Sequence, residues 1–359
     1  MWTGIANPCA SSLPYNELAV AAAGFRAAVA TSVDRHGFEG TVLVVRFPLT
    51  SVKVTKHPKA QPDDADRNKR TGVALSQTLR PVMIKDIVLH LSADVEHNVA
   101  ANYAVSVAEA FGAHLAAVIF GYEPALPPTL AGGGLPADFI NAQRALAEEA
   151  ANAAIAKLAA AAQRAGVAVE SQLITASPGG AADIFGHLAR RFDLSIVGQV
   201  NPDAVGPQEI IIEAALFQSG RPVVIVPYIQ RAGLTLDRVL VCWDAGRPAA
   251  RALADALPFL HRAKAVEVLT VATEPLKSDD LPGVDIARHL ARHNLKVDVK
   301  RIVSGGTDVA NTILSYAADV SADFIVMGGY GHSRLREFIL GGATRGLLSS
   351  MTIPTLMSH

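Results

Sequence analysis

Residues 238–272 read RVLVCWDAGRPAARALADALPFLHRAKAVEVLTVA, and residues 86–120 read DIVLHLSADVEHNVAANYAVSVAEAFGAHLAAVIF. Each segment opens with an apolar run, passes through a short loop into an amphipathic stretch, and closes with a second apolar run. Such a segment predicts a strand, a helix and a second strand. Because the same order occurs twice, the sequence indicates an internal repeat.

The ends of the two segments' continuations also match. RRFDLSIVGQ (190–199) corresponds to VSADFIVMGG (320–329), and GRPVVIVP (220–227) corresponds to TIPTLMSH (352–359). The first pair predicts a helix end that runs into a buried strand, and the second predicts a last strand introduced by proline. We call residues 83–230 the first repeat and residues 231–359 the second repeat.

The strands of both repeats are uninterrupted apolar runs, as at 195–198 and 324–327. Strands of this kind are buried on both faces, which is typical of a parallel sheet covered by helices. The sequence therefore predicts an α/β fold with two tandem open parallel-sheet, Rossmann-like domains, one for each repeat. The first repeat is longer in its middle, where the loop 123–136 precedes an Ala-rich run (141–165) that predicts a long packing helix.

Residues 1–82 match neither repeat. We expect this N-terminal extension to be largely unstructured, with a local helix at 17–30, a strand at 41–47 and the polar stretch HPKAQPDDADRNKRT at 57–71. Two interpretations stay open. Either Met83 is the physiological start and the extension comes from a mis-called start, or the extension has a regulatory or docking role.

The composition excludes several classes of protein. Half of the 359 residues are apolar and 18% are charged, which excludes a disordered chain. The net charge of −1 gives no basic excess for nucleic acid or an anionic membrane. Only two cysteines, Cys9 and Cys242, are present, which suits a reducing compartment, and no early apolar run is long enough to span a bilayer. We therefore expect a cytoplasmic protein without nucleic-acid or membrane partners.

A glycine-rich segment near the end of the chain points to phosphate binding. Residues 327–348 read MGGYGHSRLREFILGGATRGLL, with Gly328, Gly331 and Gly341 in the spacing G-x2-G-x9-G before a helix that starts near Gly342. Glycines let the backbone approach a phosphate, and a helix N-terminus offers free N–H groups and partial positive charge. In the same segment, Thr344 can add a hydroxyl, Arg334 can reach a phosphate, and His332 can contact a γ-phosphate.

This spacing, inside a repeated β/α unit, resembles the universal stress protein family, and the doubled arrangement resembles its tandem two-domain members. The resemblance covers residues 83–359. It implies an adenine nucleotide α-hydrolase-like fold, a role in the stress response, and binding of ATP, or of AMP or ADP, with Mg²⁺ as a possible companion ion. It also implies an Asp near the ribose, a role that falls on Asp244 at the end of the strand VLVCWD.

The resemblance assigns further residues and shows two departures. Val271 would line the adenine, and Met327 and Gly328 would lie beneath the nucleotide. Gly342 stands where the family usually has Ser or Thr. Trp243 stands where a smaller residue is common, and it either stacks on adenine or fills part of its pocket. The candidate nucleotide-binding residues are Trp243, Asp244, Val271, Met327, Gly328, Gly331, His332, Arg334, Gly341, Gly342 and Thr344.

The first repeat lacks this pattern. Ser92 takes the position of Asp244, and Glu209, Ile210 and Ile212 take those of Gly341, Gly342 and Thr344. A carboxylate and branched side chains repel and block an anion. We therefore expect nucleotide in the second repeat only, with the first as a structural partner or a binder of something less anionic.

Two other functions stay open. One is a nucleotide-independent interaction or scaffold module, and the other is a slow ATPase. The sequence identifies no catalytic residue and no metal site. His289 and His293 fit a solvated helix face better than a metal site, and SGGTD (304–308) fits a turn and a helix cap better than a pyrophosphate loop.

The last strands of the two repeats predict the assembly. PVVIVP (222–227) and PTLMS (354–358) are apolar edges, which are liabilities when uncovered. Because members of the family that the chain resembles commonly dimerise through this strand, we expect the two strands to pair antiparallel in an intramolecular pseudo-dimer. A homodimer of the whole chain stays open.

Overall fold

The computed structural model describes most of the two repeats and the backbone of two earlier strands. The described residues are 27–33, 39–45, 83–94, 98–122, 137–200, 207–272, 283–304, 307–329 and 342–359. The chain divides into two compact units, Met1–Ser76 and Gln77–His359.

The N-terminal unit contains a two-stranded antiparallel sheet of β1 (Ala27–Val33) and β2 (Glu39–Val45). The local helix predicted over 17–30 is therefore wrong at its C-terminal end, because residues 27–30 are extended. The β-branched residues of both segments favour strand pairing over the helical tendency of the alanines. The predicted strand is present but lies two residues earlier than expected. The rest of the extension, and with it the expectation of disorder, lies outside the described residues.

The first repeat alternates strands and helices. Its elements are β3 (Asp86–Leu91), α1 (Val99–Phe111), β4 (His114–Tyr122), α2 (Ala137–Ala165), β5 (Val169–Ala176), α3 (Pro178–Ala189), β6 (Leu194–Gly198), α4 (Gln208–Gln218) and β7 (Val223–Val226).

The second repeat has the same order of elements. They are β8 (Arg238–Cys242), α5 (Arg247–Leu260), β9 (Ala265–Ala272), α6 (Val284–Arg292), β10 (Val297–Val303), α7 (Val309–Asp319), β11 (Phe324–Gly328), α8 (Gly342–Ser350) and β12 (Thr355–Ser358). The predicted α/β fold with two β/α repeats is confirmed.

The two repeats share one ten-stranded sheet in the order β10-β9-β8-β11-β12-β7-β6-β3-β4-β5. Every neighbouring pair is parallel except β12 with β7, which is antiparallel. Leu356 lies opposite Val224 and Met357 opposite Val223, so the predicted pairing of the two last strands is present. Because this one pair is antiparallel, the carboxyl ends of the strands point to opposite edges in the two repeats.

Matching side-chain interactions accompany the repeated elements. Asp193 lies just before β6, and its carboxylate accepts the backbone N–H groups of Lys85 and Asp86, at the start of β3, at 2.8 and 3.1 Å. Asp323 accepts the two corresponding N–H groups at the start of β8 at 2.7 and 3.1 Å. Each aspartate thus joins the two central strands of its repeat at their amino ends.

Helices cover both faces of the sheet and form two cores. Residues of α1, α2, α5 and α6 pack on one face, and residues of α3, α4, α7 and α8 pack on the other. On the first face, Phe111 of α1 meets Phe259 of α5 edge to face at 5.0 Å, and Phe259 stacks on Phe324 at 5.0 Å. These rings join the two repeats into one continuous core.

Helix α2 is much longer than its counterpart α6. Its 29 residues span about 43 Å, whereas α6 has nine residues. The C-terminal half packs on the sheet through Ala151, Ala154, Leu158 and Ala162. In the N-terminal half, Phe139 and Leu146 are 47% and 59% exposed. Among the described residues, no helix combines the length and the hydropathy that a bilayer crossing needs.

Candidate functional site

The candidate site lies at the carboxyl edge of the second repeat. From β8 the chain proceeds outward through β9 and β10, and then crosses back to β11 and β12 on the other side. Ligands of open parallel sheets bind where the strand order reverses in this way. Cys242 pairs with both Leu269 and Met327. Asp244, two residues beyond Cys242, therefore lies at the edge between the ends of β9 and β11.

Asp244 is held in a tight turn between β8 and α5. Its side chain is exposed, and its Oδ1 accepts the Gly246 N–H at 2.7 Å. A Cβ on Gly246 would lie 2.9 Å from the same oxygen, so a side chain there would displace the carboxylate. Between them, Ala245 adopts a left-handed backbone with φ of 59°. The carboxylate thus has a defined position at the sheet edge.

Gly328, at the end of β11, lies against the first turn of α5. A Cβ there would lie 2.7 Å from the Pro248 carbonyl carbon and would collide with the Ala249 backbone nitrogen. A side chain at this position would push α5 away from the strand. The structure therefore gives Gly328 a packing role that the sequence interpretation, which placed it beneath a nucleotide, did not include.

The other candidate residues on strands lie on both faces of the sheet. The Trp243 side chain is partly buried against the core beneath α1, α2, α5 and α6. The backbone N–H of Trp243 donates to the Leu269 carbonyl at 2.8 Å. Met327 is buried in the opposite core, and Val271 packs against that core too. The Trp243 ring therefore lies on the other side of the sheet from Val271 and Met327.

The start of α8 also lies at this edge. Gly342 is its first residue, and Thr344 in the first turn is buried. The helix packs closely on α7, because a Cβ on Gly346 would lie 3.0 Å from the Ala310 Cβ. Four candidate residues lie outside the described residues, namely Gly331, His332, Arg334 and Gly341.

Asp308 begins α7 beside this helix. Its carboxylate accepts the Asn311 N–H at 3.0 Å, which confirms the predicted helix cap. This N–H hydrogen bond lowers the pKa of Asp308. The carboxylate therefore stays ionised as a cap.

The carboxyl edge of the first repeat has a matching side-chain-to-backbone hydrogen bond but a different chemistry. Ser92 Oγ accepts the Asp94 N–H at 3.1 Å, in the place of the Asp244 interaction. The carboxylate is thus absent at the position where the strand order reverses between β3 and β6.

A buried histidine fills the space beside this turn. His90, at the position of Cys242, has its ring centroid 5.9 Å from that of Phe120 and 5.7 Å from that of Phe185. Gln208 of α4 lies beside His90 and donates from Nε2 to the Gly198 carbonyl at 2.5 Å. Burial lowers the pKa of His90 to about 4, so the ring is neutral. Sequence reasoning missed both residues, although a histidine inside the apolar run DIVLHL was a visible signal.

The start of α4 carries branched and acidic side chains. Ile212 is buried in the core, and Ile210 packs partly against it. Glu209 lies in the first turn of the helix. These residues occupy the positions of Thr344, Gly342 and Gly341 in the second repeat.

Two other sequence features carry no reactive chemistry. Burial, with a smaller effect from Asp244, raises the pKa of the Cys242 thiol to about 12, so it is not a nucleophile at neutral pH. His289 and His293 lie edge to face at 4.8 Å on α6. Among the described side chains, no group of three or more His, Cys, Asp or Glu is arranged to hold a metal.

Comparison with known proteins identifies the second repeat. Residues 235–359 match the model of the universal stress protein family. These residues of the second repeat are therefore similar to universal stress protein domains. Its curated relatives include the universal stress protein Slr1230 of Synechocystis, which is 24% identical over 203 residues, or 54% of this chain and 67% of that protein.

Solved universal stress proteins share the fold over both repeats. One from Archaeoglobus fulgidus is 18% identical, covers 75% of this chain and 94% of its own length, and has a TM-score of 0.57. A putative universal stress protein from Pseudomonas aeruginosa is 16% identical, covers 76% and 92%, and has a TM-score of 0.50. The tandem arrangement of the two repeats thus has counterparts among solved structures.

Proposed function

We propose that this stress-response protein binds an adenine nucleotide at the carboxyl edge of the second repeat, and not in the first, without rapid hydrolysis. The observation that carries the proposal is the exposed Asp244 carboxylate at the point where the strand order reverses. ATP is the proposed ligand, with AMP or ADP as alternatives and Mg²⁺ as a companion of the phosphates. The low cysteine content supports a cytoplasmic location.

Each part of the nucleotide has a proposed partner. The free oxygen of Asp244 accepts hydrogen bonds from the ribose hydroxyls. Val271 and Trp243 border the base from the two sides of the strand ends, with Met327 and Gly328 below. The phosphates lie at the start of α8, whose N–H groups favour an anion. The proposed phosphate-binding residues are Gly331, His332, Arg334, Gly341, Gly342 and Thr344.

The first repeat is proposed to be a structural partner. The rings of His90 and Phe185 and the Gln208 side chain occupy the region beside its strand ends, and Ser92 offers no carboxylate. Its β7 pairs with β12, so each repeat covers the other's last strand. This arrangement supports an intramolecular pseudo-dimer.

Thermal unfolding of the full chain with and without Mg·ATP tests the proposal. A ligand at a hundredfold excess over its Kd stabilises the folded state by about 2.7 kcal/mol. We expect ATP to raise the Tm of the wild type and of Ser92→Ala, the matched control in the first repeat, but not of Asp244→Ala or Gly331→Val. If Ser92→Ala abolished the ATP-induced rise in Tm and Asp244→Ala retained it, the site would lie in the first repeat and the proposal would be wrong.

A nucleotide-independent interaction module is the second candidate function. The exposure of Phe139 and Leu146 on the N-terminal half of α2 favours it, because this stretch contributes little to the core. A Tm insensitive to ATP, together with self-association that Phe139→Ser and Leu146→Ser abolish in sedimentation velocity, would favour this function over nucleotide binding.

A further inference from the structure

The connection from the first strand to the first helix differs between the repeats. Seven residues (92–98) join β3 to α1, whereas four residues (243–246) join β8 to α5. Both connections contain a side chain, Ser92 or Asp244, that accepts the N–H two residues on. The shorter connection brings the first turn of α5 onto the end of β11 at Gly328, where no Cβ fits. At Gly198, the counterpart in the first repeat, a Cβ would have its nearest neighbour 3.7 Å away.

The short connection depends on a strained residue. Ala245 has a φ of 59°, in the left-handed region that residues with a Cβ rarely adopt. Among the described residues, the non-glycine positions with positive φ are Ala245, Asn294 and Ser321, so the corresponding Ala93 of the first repeat is not strained. Backbone strain of this kind persists where the surrounding structure requires it, and it is found at ligand sites.

The strained residue lies inside the turn that restrains the Asp244 carboxylate. The Gly246 N–H donates across Ala245 to Oδ1 at 2.7 Å, and this bond restrains the side chain. The second oxygen is then available to a ligand at the exposed edge. Ala245 thus lies between the carboxylate and the N–H that restrains it, in a connection of four residues from β8 to α5.

We propose that Ala245 is a positioning residue for the ribose subsite. Its left-handed backbone holds the free oxygen of Asp244 toward the ribose hydroxyls, so the strain contributes to affinity for ribonucleotides. This inference rests on the proposed nucleotide-binding function. It concerns the ribose alone, since the phosphates are assigned to the start of α8.

Calorimetric titration of the full chain tests the inference with two ligands, Mg·ATP and Mg·2′,3′-dideoxy-ATP, which lacks both ribose hydroxyls. Ala245→Gly permits other turn conformations, so we expect ATP affinity to fall by roughly fivefold as preorganisation is lost. Dideoxy-ATP affinity should stay within about twofold, because it makes no ribose hydrogen bond to lose. Ala245→Asn is the matched control, since Asn tolerates the left-handed region, and it should bind both ligands as the wild type does.

The Tm without ligand separates positioning from folding. Glycine relieves the strain at a positive φ, so Ala245→Gly should unfold no lower than the wild type while it binds ATP more weakly. Unchanged ATP affinity in Ala245→Gly, or an equal loss for both ligands, would overturn the inference and leave the proposed function intact. A wild type that binds neither ligand would overturn the proposed function and this inference with it.

Discussion

Adding one methyl group at Gly328 should destabilise the protein strongly, because the space beside it is occupied by backbone. A Cβ there would meet the Pro248 carbonyl carbon at 2.7 Å, the Pro248 Cβ at 2.9 Å and the Ala249 nitrogen. Ordinary van der Waals contact begins near 3.4 Å. Helix α5 must therefore move by several tenths of an ångström, and a helix backbone in a packed core cannot yield as a flexible side chain can.

We expect Gly328→Ala to lower the free energy of unfolding by about 3 kcal/mol, the upper end of the usual cost of overpacking. At roughly 2 °C per kcal/mol for a unit of this size, the Tm should fall by about 6 °C. Differential scanning calorimetry of the full chain measures this change. The same shift of α5 would displace the Asp244 turn, so any ATP-induced rise in Tm should also shrink.

Gly198→Ala is the matched control for this prediction. It adds the same methyl group at the end of β6, where the nearest atoms, the Ala100 Cβ and the Gln208 Nε2, lie 3.7 and 3.8 Å away. These are ordinary contacts, and the cost should stay below about 1 kcal/mol. Equal destabilisation by the two substitutions would show that the close approach of α5 to β11 does not restrict position 328.

Two further predictions concern the first repeat and the sheet. The pKa of His90 is about 4 in the folded chain and 6.5 in the unfolded chain, so the unfolded chain binds a proton more readily between these values. The contribution of neutral His90 to the free energy of unfolding is therefore complete above pH 6.5 and is lost as the pH falls toward 4. At pH 5 this loss is about 2 kcal/mol relative to pH 7.5, and His90→Cys, which introduces the second repeat's residue, should reduce the pH dependence of urea unfolding by that amount. A pH dependence that His90→Cys leaves unchanged would show that other groups cause it. Ile225 lies opposite Thr355 of β12, and its neighbours on either side in β7 face β6 instead, so Ile225→Pro removes a ladder hydrogen bond between the two repeats and should cost about 3 kcal/mol in urea unfolding. Val303→Pro, at the end of the edge strand β10, is its control and should cost far less, since the next residue's N–H, that of Ser304, makes the bond to β9. If the two proline variants lost similar free energies of unfolding, the hydrogen bonds between β7 and β12 would not be important for stability.

Much of the fold was predictable because the relevant signals are local. The apolar runs of β3, β6, β8 and β11 indicate strands buried on both faces, and the helical periods between them indicate parallel connections. The pairing of β7 with β12 was also predictable, because an apolar last strand in each repeat needs cover. The helix expected at 17–30 was wrong at 27–30, where pairing with a distant segment prevails over the local tendency of alanine.

The candidate site was predictable only in part. The family resemblance assigned a role to Asp244; the structure places this residue exposed at the sheet edge, and its role in binding stays a prediction. The roles of Gly328 and Trp243 were not predictable, because both depend on which helix lies against a strand end. The contact of Gln208 with His90 joins residues far apart in the chain, which no local spacing indicates.

The order of elements, the repeat and the edge at which each repeat presents its loops follow from the amino-acid sequence alone. Hydrophobic periodicity and the positions where strands end depend on residues that are close together in the chain. The tertiary structure alone shows that a neutral histidine fills the region beside the first repeat's strand ends and that Ala245 takes a left-handed backbone. The physical reason is close packing. Whether a glycine must stay bare, or an alanine must bear strain, depends on the atoms that other segments bring within van der Waals distance.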